Sequence, residues 1–528
     1  MKDTLSSNPH DGPVNMTDTL SSNPHDGPVN MADTLSSNPH DGPVNMADTF
    51  SSNPQDGTVN RADPLPSNPY EPIFTAQKAL FRTGATRGRE WRLDQLARME
   101  RMVSENEAEL QDAVKSDFKT ASEEYVFETQ TAIGEVAFQR SQLDDWMKPV
   151  EAPVPNPLAA TGHRAVIYRD PYGVALIIGP FNSPLTLLLR PAIAALAAGN
   201  TCILTLSNAL KHTSEILLRL IPRYFEEQAV AVVAGGREAN TSLLQLPFDF
   251  IFFTGSTKVG KIVAKAAAEH LTPVLLELGG QNPAIVDGTG NIADAARKIV
   301  WGAMAWGGQW CTSPGYAYVH ESVADQFVAE AKRALVEMFG TDPKNNPDYS
   351  RIISTREAQR LRALIDQSKV VAGGDADPEA RYVAPTILYP ITWEHEIMED
   401  EIFGPILPIL TYTDFDDALA RIADKPAPLA AFIFSTRQDH IDRFIGSLSY
   451  GGGAVNQVNI HLFIESMPFG GVGQAGMGHY YGRYGFEALT HAKSMLIAPD
   501  GVAIDHLIPP YDRSKVEALS MWFDYPSD

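Results

Sequence analysis

The sequence predicts an α/β fold built on parallel sheets whose two faces are covered by helices. From Arg164 to Leu278, short and continuously apolar runs alternate with amphipathic stretches. Apolar runs of this kind indicate strands that are buried on both faces, as they are in parallel sheets sandwiched between helices. After Gly280 a second series of the same kind begins and continues to about Pro468. We therefore expect two α/β units in one chain.

The apolar runs and the turn residues divide the first unit into individual elements. The predicted strands cover residues 165–169, 174–178, 202–206, 229–233, 250–253 and 274–278. The predicted helices cover residues 185–198, 214–225, 237–246 and 258–269. Ahead of this unit, apolar residues between Arg92 and Val114 recur at helical spacing, which predicts helix throughout that stretch.

The chain begins with tandem repeats. Residues 1–60 consist of four near-identical units of fifteen residues, and a degenerate fifth begins at Arg61. Besides Met, each unit has one Leu or Phe and one Val as its sizeable apolar side chains, too little to offset the entropy lost on ordering. We therefore predict a disordered tail over residues 1–71, with the folded part starting near Tyr70. The repeats are interpreted either as a duplicated solvated leader or as weak binding motifs for an unknown partner, which repetition concentrates.

Composition excludes several classes of partner. The chain of 528 residues has a formal net charge of −23, whereas nucleic acids and anionic membranes attract cationic surfaces. Its most apolar stretch, from Gly173 to Leu189, is broken by Pro180 and Pro184, so we predict no integral membrane segment. Two cysteines make no disulfide framework in so long a chain, which favours a reducing, cytoplasmic location.

One cysteine and one glutamate have the chemistry of covalent catalysis. Cys311 lies in Gly-Gly-Gln-Trp-Cys-Thr-Ser-Pro, whose glycines and proline predict an open turn. Glu277 lies in Leu-Glu-Leu-Gly-Gly, at the end of a predicted buried strand where a charge is costly. A thiol nucleophile and a base that activates water are the groups needed for a thioester mechanism. Without further context, a lone cysteine such as Cys311 is more often a small packing residue, and a strand-end glutamate such as Glu277 is more often a solvated rim residue.

A glycine-containing turn follows the predicted strand 250–253. A helix N-terminus after such a turn offers free N–H groups and a partial positive charge to a phosphate. The turn lacks the Gly-x-Gly-x-x-Gly dinucleotide motif, so capping of a helix is the alternative interpretation. The candidate cofactor-binding residues of this turn are Gly255, Ser256, Thr257, Lys258, Val259 and Gly260.

Taken together, these stretches resemble the aldehyde dehydrogenase family. The chain carries, in the family's order, Pro-Phe-Asn182-Ser-Pro, Phe-Thr-Gly255-Ser-Thr-Lys-Val-Gly260, Leu-Glu277-Leu-Gly-Gly, Gly-Gln309-Trp-Cys311, Glu401-Ile-Phe403-Gly-Pro and Pro468-Phe-Gly-Gly. The last two regions are similar to the class 3 branch, whose members oxidise fatty and aromatic aldehydes, and to its fungal carotenal-oxidising members. The resemblance covers about residues 72–512 and leaves out the repeats.

The resemblance implies a three-layer fold with three parts. The nucleotide-binding domain would comprise residues 72–149 and 173–277, and the α/β catalytic domain residues 278–454. A small β oligomerisation flap would comprise residues 150–172 and 455–500, followed by a C-terminal tail over residues 501–528. Because class 3 enzymes are commonly dimers, the resemblance also implies a homodimer.

The resemblance also assigns roles at the site. Cys311 would attack a hydrophobic aldehyde as a thiolate, which requires a lowered pKa. The side-chain amide of Asn182 would donate to the resulting oxyanion, and hydride would pass to NAD or NADP. Glu277, with a pKa raised by burial, would activate the water that hydrolyses the thioester. Glu401 would hold the nicotinamide ribose with Phe403 beside the ring, and no metal ligands are predicted.

The sequence departs from the family's pattern at two places. Thr205-Leu206-Ser207-Asn208 replaces the usual Lys-Pro-Ser-Glu, so we predict weaker cofactor binding and a relaxed choice between NAD and NADP. Trp306 and Trp310 replace smaller residues next to Cys311 and either narrow the pocket or stack on a flat substrate. A cofactor-impaired thiol esterase or aldehyde binder, and a scaffold with a partner-binding tail, are the alternative functions. The second cysteine, Cys202, is interpreted as a packing residue.

Overall fold

A computed structural model describes residues 68–502, 507–519 and 525. The tandem repeats, and the disorder predicted for them, lie outside these residues. The folded part begins slightly before the predicted boundary at residue 71, because the side-chain amide of Asn68 donates to the carbonyl oxygen of Ser242 at 2.6 Å.

The strands and helices alternate along most of the described chain. The strands are β1 Val150–Ala152, β2 Arg164–Pro171, β3 Val174–Ile178, β4 Thr201–Thr205, β5 Val230–Val233, β6 Phe250–Thr254, β7 Val274–Glu277, β8 Asn282–Val286, β9 Pro314–His320, β10 Val370–Ala372, β11 Ala376–Asp377, β12 Tyr382–Val383, β13 Thr386–Leu388, β14 Ile406–Tyr412, β15 Ala430–Phe434, β16 Gly452–Val455, β17 Gly476–Met477 and β18 Thr490–Ile497. The helices are α1 Glu71–Arg82, α2 Arg89–Glu105, α3 Glu107–Asp117, α4 Ser122–Trp146, α5 Asn156–Ala160, α6 Thr186–Ala198, α7 Lys211–Tyr224, α8 Arg237–Leu243, α9 Thr257–Ala268, α10 Ile292–Met304, α11 Ala324–Phe339, α12 Thr355–Leu364, α13 Phe415–Ala423, α14 Gln438–Ser447, α15 Gly482–Ala488 and α16 Arg513–Ala518.

The first sheet has the order β17-β7-β6-β3-β4-β5, in which β3 to β7 run parallel. Strands β3, β4 and β6 are buried along their whole length, as continuous apolar runs predict for a sheet covered on both faces. Helix α6 lies on one face and is itself buried throughout, because α2, α4 and α15 pack against it. The carboxyl ends of these strands meet at one edge, where ligands bind in open α/β sheets.

The second sheet has the order β10-β13-β14-β9-β8-β15-β16 and is parallel apart from β10. Helices α10 and α11 pack against each other and contact β9, and their apolar residues form the core on this face. Cys311 lies three residues before the start of β9, and Glu401 and Phe403 precede β14. These residues therefore lie at the amino-terminal ends of strands of the second sheet. The chain enters β8 at this same edge directly after it leaves β7.

A third, antiparallel sheet of β1, β2 and β18 corresponds to the predicted flap. Parts of the predicted flap range belong elsewhere, since α15 packs against α4 and α6. Gly476–Met477 pairs antiparallel with Leu276 and Glu277, at the edge of the first sheet. Gly476 permits this pairing because it has φ +155° and lies against the backbone of Leu276, where a Cβ would collide. The domain boundaries otherwise stay a prediction.

The helix predicted between Arg92 and Val114 is divided in two. Helix α2 ends at Glu105 and α3 begins at Glu107, with Asn106 between them at φ −122° and ψ 21°. The Asn106 side chain donates to the carbonyl oxygen of Met102 and to the hydroxyl of Tyr224, each at 2.9 Å. The spacing of apolar residues predicted one helix because it takes no account of a polar side chain, here that of Asn106, which competes for backbone hydrogen bonds.

Candidate active site

The structure brings Asn182 and Cys311 to one cavity. Asn182 is 4% exposed and lies in the loop after β3, while Cys311 lies in the loop before β9. Among the described residues, no group accepts a hydrogen bond from the Asn182 amide, so its donor is free to bind a ligand. The cavity measures about 30 Å³. Its walls are Phe127, Asn182, Ser183, Thr186, Leu187, Arg190, Trp306, Trp310, Cys311, Leu462, Phe469 and Tyr481.

Hydrogen bonds to the backbone fix the nucleophile loop. The Asn282 side-chain amide donates to the carbonyl oxygen of Cys311 at 2.9 Å and to that of Ser313 at 2.8 Å. The Asn282 side-chain oxygen accepts from the backbone N–H of Ala430 at 2.8 Å. The Gln309 side chain donates to the carbonyl oxygen of Arg351 and accepts from the backbone N–H of Ile353, both at 2.9 Å. The loop therefore holds Cys311 in place without using its side chain.

The pKa predicted for Cys311 is wrong in direction. Burial raises the pKa of this thiol well above its ordinary value, and the charges of Glu401 and Glu277 raise it further. Hydrogen bonds from the backbone N–H groups of Cys311 and Thr312 act in the opposite direction. The sequence contains the two glutamates but does not show that their charges, rather than the charge of a cation, act on the sulfur. Burial likewise raises the pKa of Cys202 to about 12, in keeping with its predicted packing role.

Glu277 ends β7 and is 3% exposed, as the sequence predicts for a strand-end carboxylate. Neither of its carboxyl oxygens has a hydrogen-bond partner among the described residues. Burial raises the pKa of Glu277 well above its ordinary value, which confirms the predicted direction. Glu277 is not one of the walls of the Cys311 cavity, although its charge acts on the pKa of that thiol. The Glu277 carboxyl group is thus close enough for its charge to act on Cys311, without being one of the walls of this cavity.

A second, larger cleft of about 570 Å³ contains the predicted phosphate turn and Glu401. Ser256, Thr257 and Lys258 line it at the start of α9, where the Ser256 hydroxyl accepts from the N–H of Val259 at 3.4 Å. A Cβ at Gly260 would lie 2.6 Å from Leu278. Gly260 therefore serves the close packing of α9 on the strand end, and Val259 is 43% exposed beside the turn.

Glu401 fits the role of a ribose ligand. Its carboxylate lies against Gly279, where a Cβ would collide with it, and accepts from the N–H of Gly280. Burial raises the pKa of Glu401 to about 7. Phe403 has a left-handed backbone at φ +46° and packs edge-on against Phe181 with 5.7 Å between ring centroids. A half-buried carboxylate, a glycine cradle and a helix N-terminus together match a nucleotide with hydroxyl and phosphate groups.

Comparison with known proteins agrees with this geometry. The model of the "Aldehyde dehydrogenase family" matches residues 65–495. The chain belongs to the aldehyde dehydrogenase family. It is 39% identical over 456 residues to the 4,4'-diaponeurosporen-aldehyde dehydrogenase of Staphylococcus aureus, and the matched region covers 86% of this chain and 99% of that protein. It is also 39% identical over 439 residues to aldehyde dehydrogenase family 3 member A2 of Rattus norvegicus, covering 83% and 90%.

Solved structures show the same relationship. The substrate-bound state of Staphylococcus aureus AldH has a TM-score of 0.83 and 38% identity, covering 86% of this chain and 99% of that one. The predicted family, the class 3-like branch, the fold class and an NAD(P)-dependent aldehyde dehydrogenase activity are thereby confirmed. Within the described ranges, no helix is long and apolar enough to cross a membrane.

Sequence reasoning missed several walls of the two clefts. Arg190 lines the Cys311 cavity, and Tyr316, Trp393 and Lys425 line the cofactor cleft. Arg190 carried a signal, since it is the one charged residue in the apolar helix α6. The other three come from distant parts of the chain and belong to no shared motif.

Proposed function

We propose that this enzyme oxidises a long-chain, aromatic or apocarotenoid-like aldehyde to the carboxylic acid through a thioester on Cys311. The observation that carries the proposal is the shared cavity of Cys311 and the free Asn182 amide, whose other walls are mostly apolar or aromatic. The names of two relatives support the substrate class, since one acts on diaponeurosporen-aldehyde and the other is a family 3 aldehyde dehydrogenase.

Each residue has a defined part in this mechanism. The Cys311 thiol loses its proton to solvent, its sulfur bonds to the aldehyde carbon as the carbonyl double bond opens, and the Asn182 amide donates to the oxyanion that results. A donor aimed at developing charge contributes roughly 10²–10³ in rate. NAD or NADP, when bound, supplies the two-electron acceptor for the hydride. Glu277 then takes a proton from water, the water oxygen bonds to the acyl carbon, and the carbon–sulfur bond breaks to release the acid.

The cofactor would lie in the cleft between the α9 turn and Glu401. Gly255 to Gly260 would approach its phosphates, Glu401 would accept from the nicotinamide ribose hydroxyls, and Phe403 would lie beside the ring. At the other end, Asn208 follows β4 as an exposed amide in the place where the family usually has a carboxylate. We therefore propose that NAD and NADP are both accepted.

The cavity is narrow compared with the roughly 300–1,000 Å³ of typical ligand pockets. Entry of an extended substrate therefore requires wall side chains to rotate. Phe127 contacts Trp306 and Phe463 with ring centroids 5.5 Å and 5.1 Å apart. Because Phe463 is 41% exposed, this aromatic row reaches the surface and offers a route for a flat, apolar chain.

We also propose a homodimer and a cytoplasmic location. Strand β18 forms one edge of the flap sheet, and its apolar residues Met495, Leu496 and Ile497 are 47%, 56% and 39% exposed. An exposed apolar edge strand is unfavourable in a monomer and is covered well by a second copy. Sedimentation of the purified protein would give twice the chain mass of 57.6 kDa for a dimer.

Substitution of each cysteine tests the mechanism. Purified protein is given long-chain, aromatic, polyene and short aldehydes with either cofactor, and reduced nicotinamide is followed. We expect Cys311→Ala to abolish oxidation. Cys202→Ala is the matched control, because Cys202 is buried in β4 away from both clefts, and it should keep turnover. Full activity of Cys311→Ala, or no oxidation of any aldehyde by the parent, would refute the proposal.

A further inference from the structure

Buried polar atoms without partners gather on one face of the first sheet. The side-chain hydroxyls of Thr254 and Tyr480 and both carboxyl oxygens of Glu277 have no hydrogen-bond partner among the described residues. The three residues are 7%, 1% and 3% exposed, respectively. Buried polar groups are nearly always paired, either with protein or with ordered water, so this concentration next to a nucleophile requires an explanation.

Strand register places the three groups on the same face. Thr254 is the cross-strand partner of Glu277, and Phe252 is the partner of Leu275. Because side chains alternate along a strand, all four of these residues point to one side of the sheet. The ring of Tyr480 packs edge-on against Phe252, with 4.9 Å between centroids. Tyr480 therefore covers the same side, next to the end of β7, and the charge of Glu277 acts on its hydroxyl.

We propose that Thr254, Tyr480 and Glu277 form a hydrogen-bonding site for one water molecule, through which the two hydroxyls hold the Glu277 carboxylate for deacylation. The proposal rests on the function proposed above and assigns a positioning role to Tyr480 and Thr254. A buried water is stable where it finds two to four polar partners, and this cluster supplies two hydroxyls and a carboxyl group.

Deacylation requires an ionised Glu277 carboxylate, and the proposed water site would stabilise that form. When the hydrolytic water attacks the thioester, its oxygen bonds to the acyl carbon, the carbon–sulfur bond breaks, and the Cys311 sulfur leaves as thiolate. The proton released by that water goes to Glu277, which must be ionised to accept it. Hydrogen bonds donated to a carboxylate favour its ionised form. Donation from the Tyr480 and Thr254 hydroxyls through the bound water would supply that stabilisation.

A purely structural role for Tyr480 gives a different expectation. Its ring also contacts Phe469 and Tyr481, with centroids 5.9 Å and 4.7 Å apart, so the ring alone could serve as core packing. Phenylalanine would then replace Tyr480 without loss, and removal of an unpaired buried hydroxyl would stabilise the fold. If the hydroxyl is hydrogen-bonded to the water that also contacts Glu277, Tyr480→Phe should instead lower the urea midpoint of unfolding.

The decisive experiment separates the two half-reactions in Tyr480→Phe. Rapid mixing measures the burst of reduced nicotinamide, which reports acylation, and acid quenching measures decay of the acyl-enzyme. We expect the burst to be unchanged and deacylation to be slower by about tenfold. The loss is smaller than the factor of roughly 10²–10⁴ that a general base contributes, because Tyr480 only supports the base Glu277. The pH profile of deacylation should also move to higher pH. Parent rates, an unmoved profile and a raised urea midpoint in Tyr480→Phe would overturn the proposal.

Two further variants complete the test. Tyr349→Phe is the matched control, because the Tyr349 hydroxyl is fully buried but donates to the Val383 carbonyl oxygen at 2.7 Å, away from the site. It should lose stability and keep the parent pH profile. Should Tyr480→Phe fail to fold, Thr254→Val should slow deacylation and Thr254→Ser should restore it. A parent enzyme that forms no acyl-enzyme would refute the proposed function, whereas identical deacylation in parent and Thr254→Val would refute the cluster alone.

Discussion

The indole rings of Trp306 and Trp310 pack against each other with their centroids 3.9 Å apart and their planes tilted by 34°, and Trp310 directly precedes the nucleophile Cys311. Trp306 has a left-handed backbone at φ +58°, which is uncommon for a residue with a bulky side chain. The Lys119 ammonium lies 4.0 Å from the centroid of the Trp306 ring, and the Glu124 carboxylate accepts a hydrogen bond from the Trp306 backbone N–H at 2.6 Å. Several contacts thus fix Trp306, which in turn fixes Trp310 as a rigid wall of the cavity.

Truncation of Trp310 should change which aldehydes are accepted. Trp310→Ala enlarges the cavity, so kcat/KM should fall for short aldehydes and rise for bulky ones, with a relative change of about tenfold. The measurement is kcat/KM over a series of increasing chain length and ring number. Trp146→Ala is the control, since Trp146 packs against Phe138 and Phe486 and does not line the cavity. Equal changes across the series in both variants would show that the wall does not select substrates.

The buried ion pair between Lys119 and Glu128 should be costly to break. Both side chains are fully buried, and Glu128 also accepts from the backbone N–H groups of Leu185 and Thr186 at the start of α6. Removing one partner of such a pair leaves an uncompensated charge and costs about 3–5 kcal/mol. We expect Lys119→Met to lower the free energy of unfolding by this amount, measured in urea.

The control for this effect is Lys148→Met. Lys148 pairs with Asp145 at 3.1 Å, but both side chains are 70% exposed, and exposed pairs contribute about 0–1 kcal/mol. A loss of stability in Lys119→Met no larger than that in Lys148→Met would contradict the assignment. The fluorescence of Trp306 should also change in Lys119→Met, because the cation lies over its ring.

Sequence reasoning recovered those parts of the site that depend on local pattern. The strand ends at Asn182, Glu277 and the turn after β6 follow from apolar runs and turn residues, and the structure places them at the edges that the alternation of strands and helices predicts. Lys119, Arg190 and Tyr480 could not be assigned in the same way. Their roles arise from contacts with residues far away in the sequence, which no local spacing records.

The raised pKa of Glu277 should make stability depend on pH. Because its folded pKa lies above the unfolded value of about 4.3, the native state binds more protons than the unfolded state between the two values, and stability falls as pH rises through that window. Glu277→Gln removes this contribution, so the parent should lose stability relative to the variant by at most about 1.4 kcal/mol per pH unit. Urea unfolding of both proteins from pH 5 upwards measures the difference.

Other buried carboxyl groups also have raised pKa values and make the stability of both proteins depend on pH. The contribution of Glu277 is therefore the difference in unfolding free energy between the parent and Glu277→Gln. Burial raises the pKa of Glu124 and that of Glu401 to about 7, and both remain in the Glu277→Gln variant. Parallel stability curves for parent and variant would show that Glu277 titrates normally. Deacylation should rise with pH in the parent, because only the ionised carboxylate accepts a proton.

A carboxylate restored at residue 208 should separate the two cofactors. Asn208 follows β4 as an exposed side chain, so Asn208→Glu should cost little stability. With the cofactor bound as proposed above, a carboxylate there would repel the 2′-phosphate of NADP and accept hydrogen bonds from the ribose of NAD. We expect calorimetric titration to give a ratio of NADP to NAD dissociation constants that increases by at least about tenfold, or 1.4 kcal/mol. Asn208→Gln keeps the length of the side chain without its charge and should leave that ratio unchanged. If the unmodified protein already binds NAD alone, the amide at this position does not relax cofactor choice.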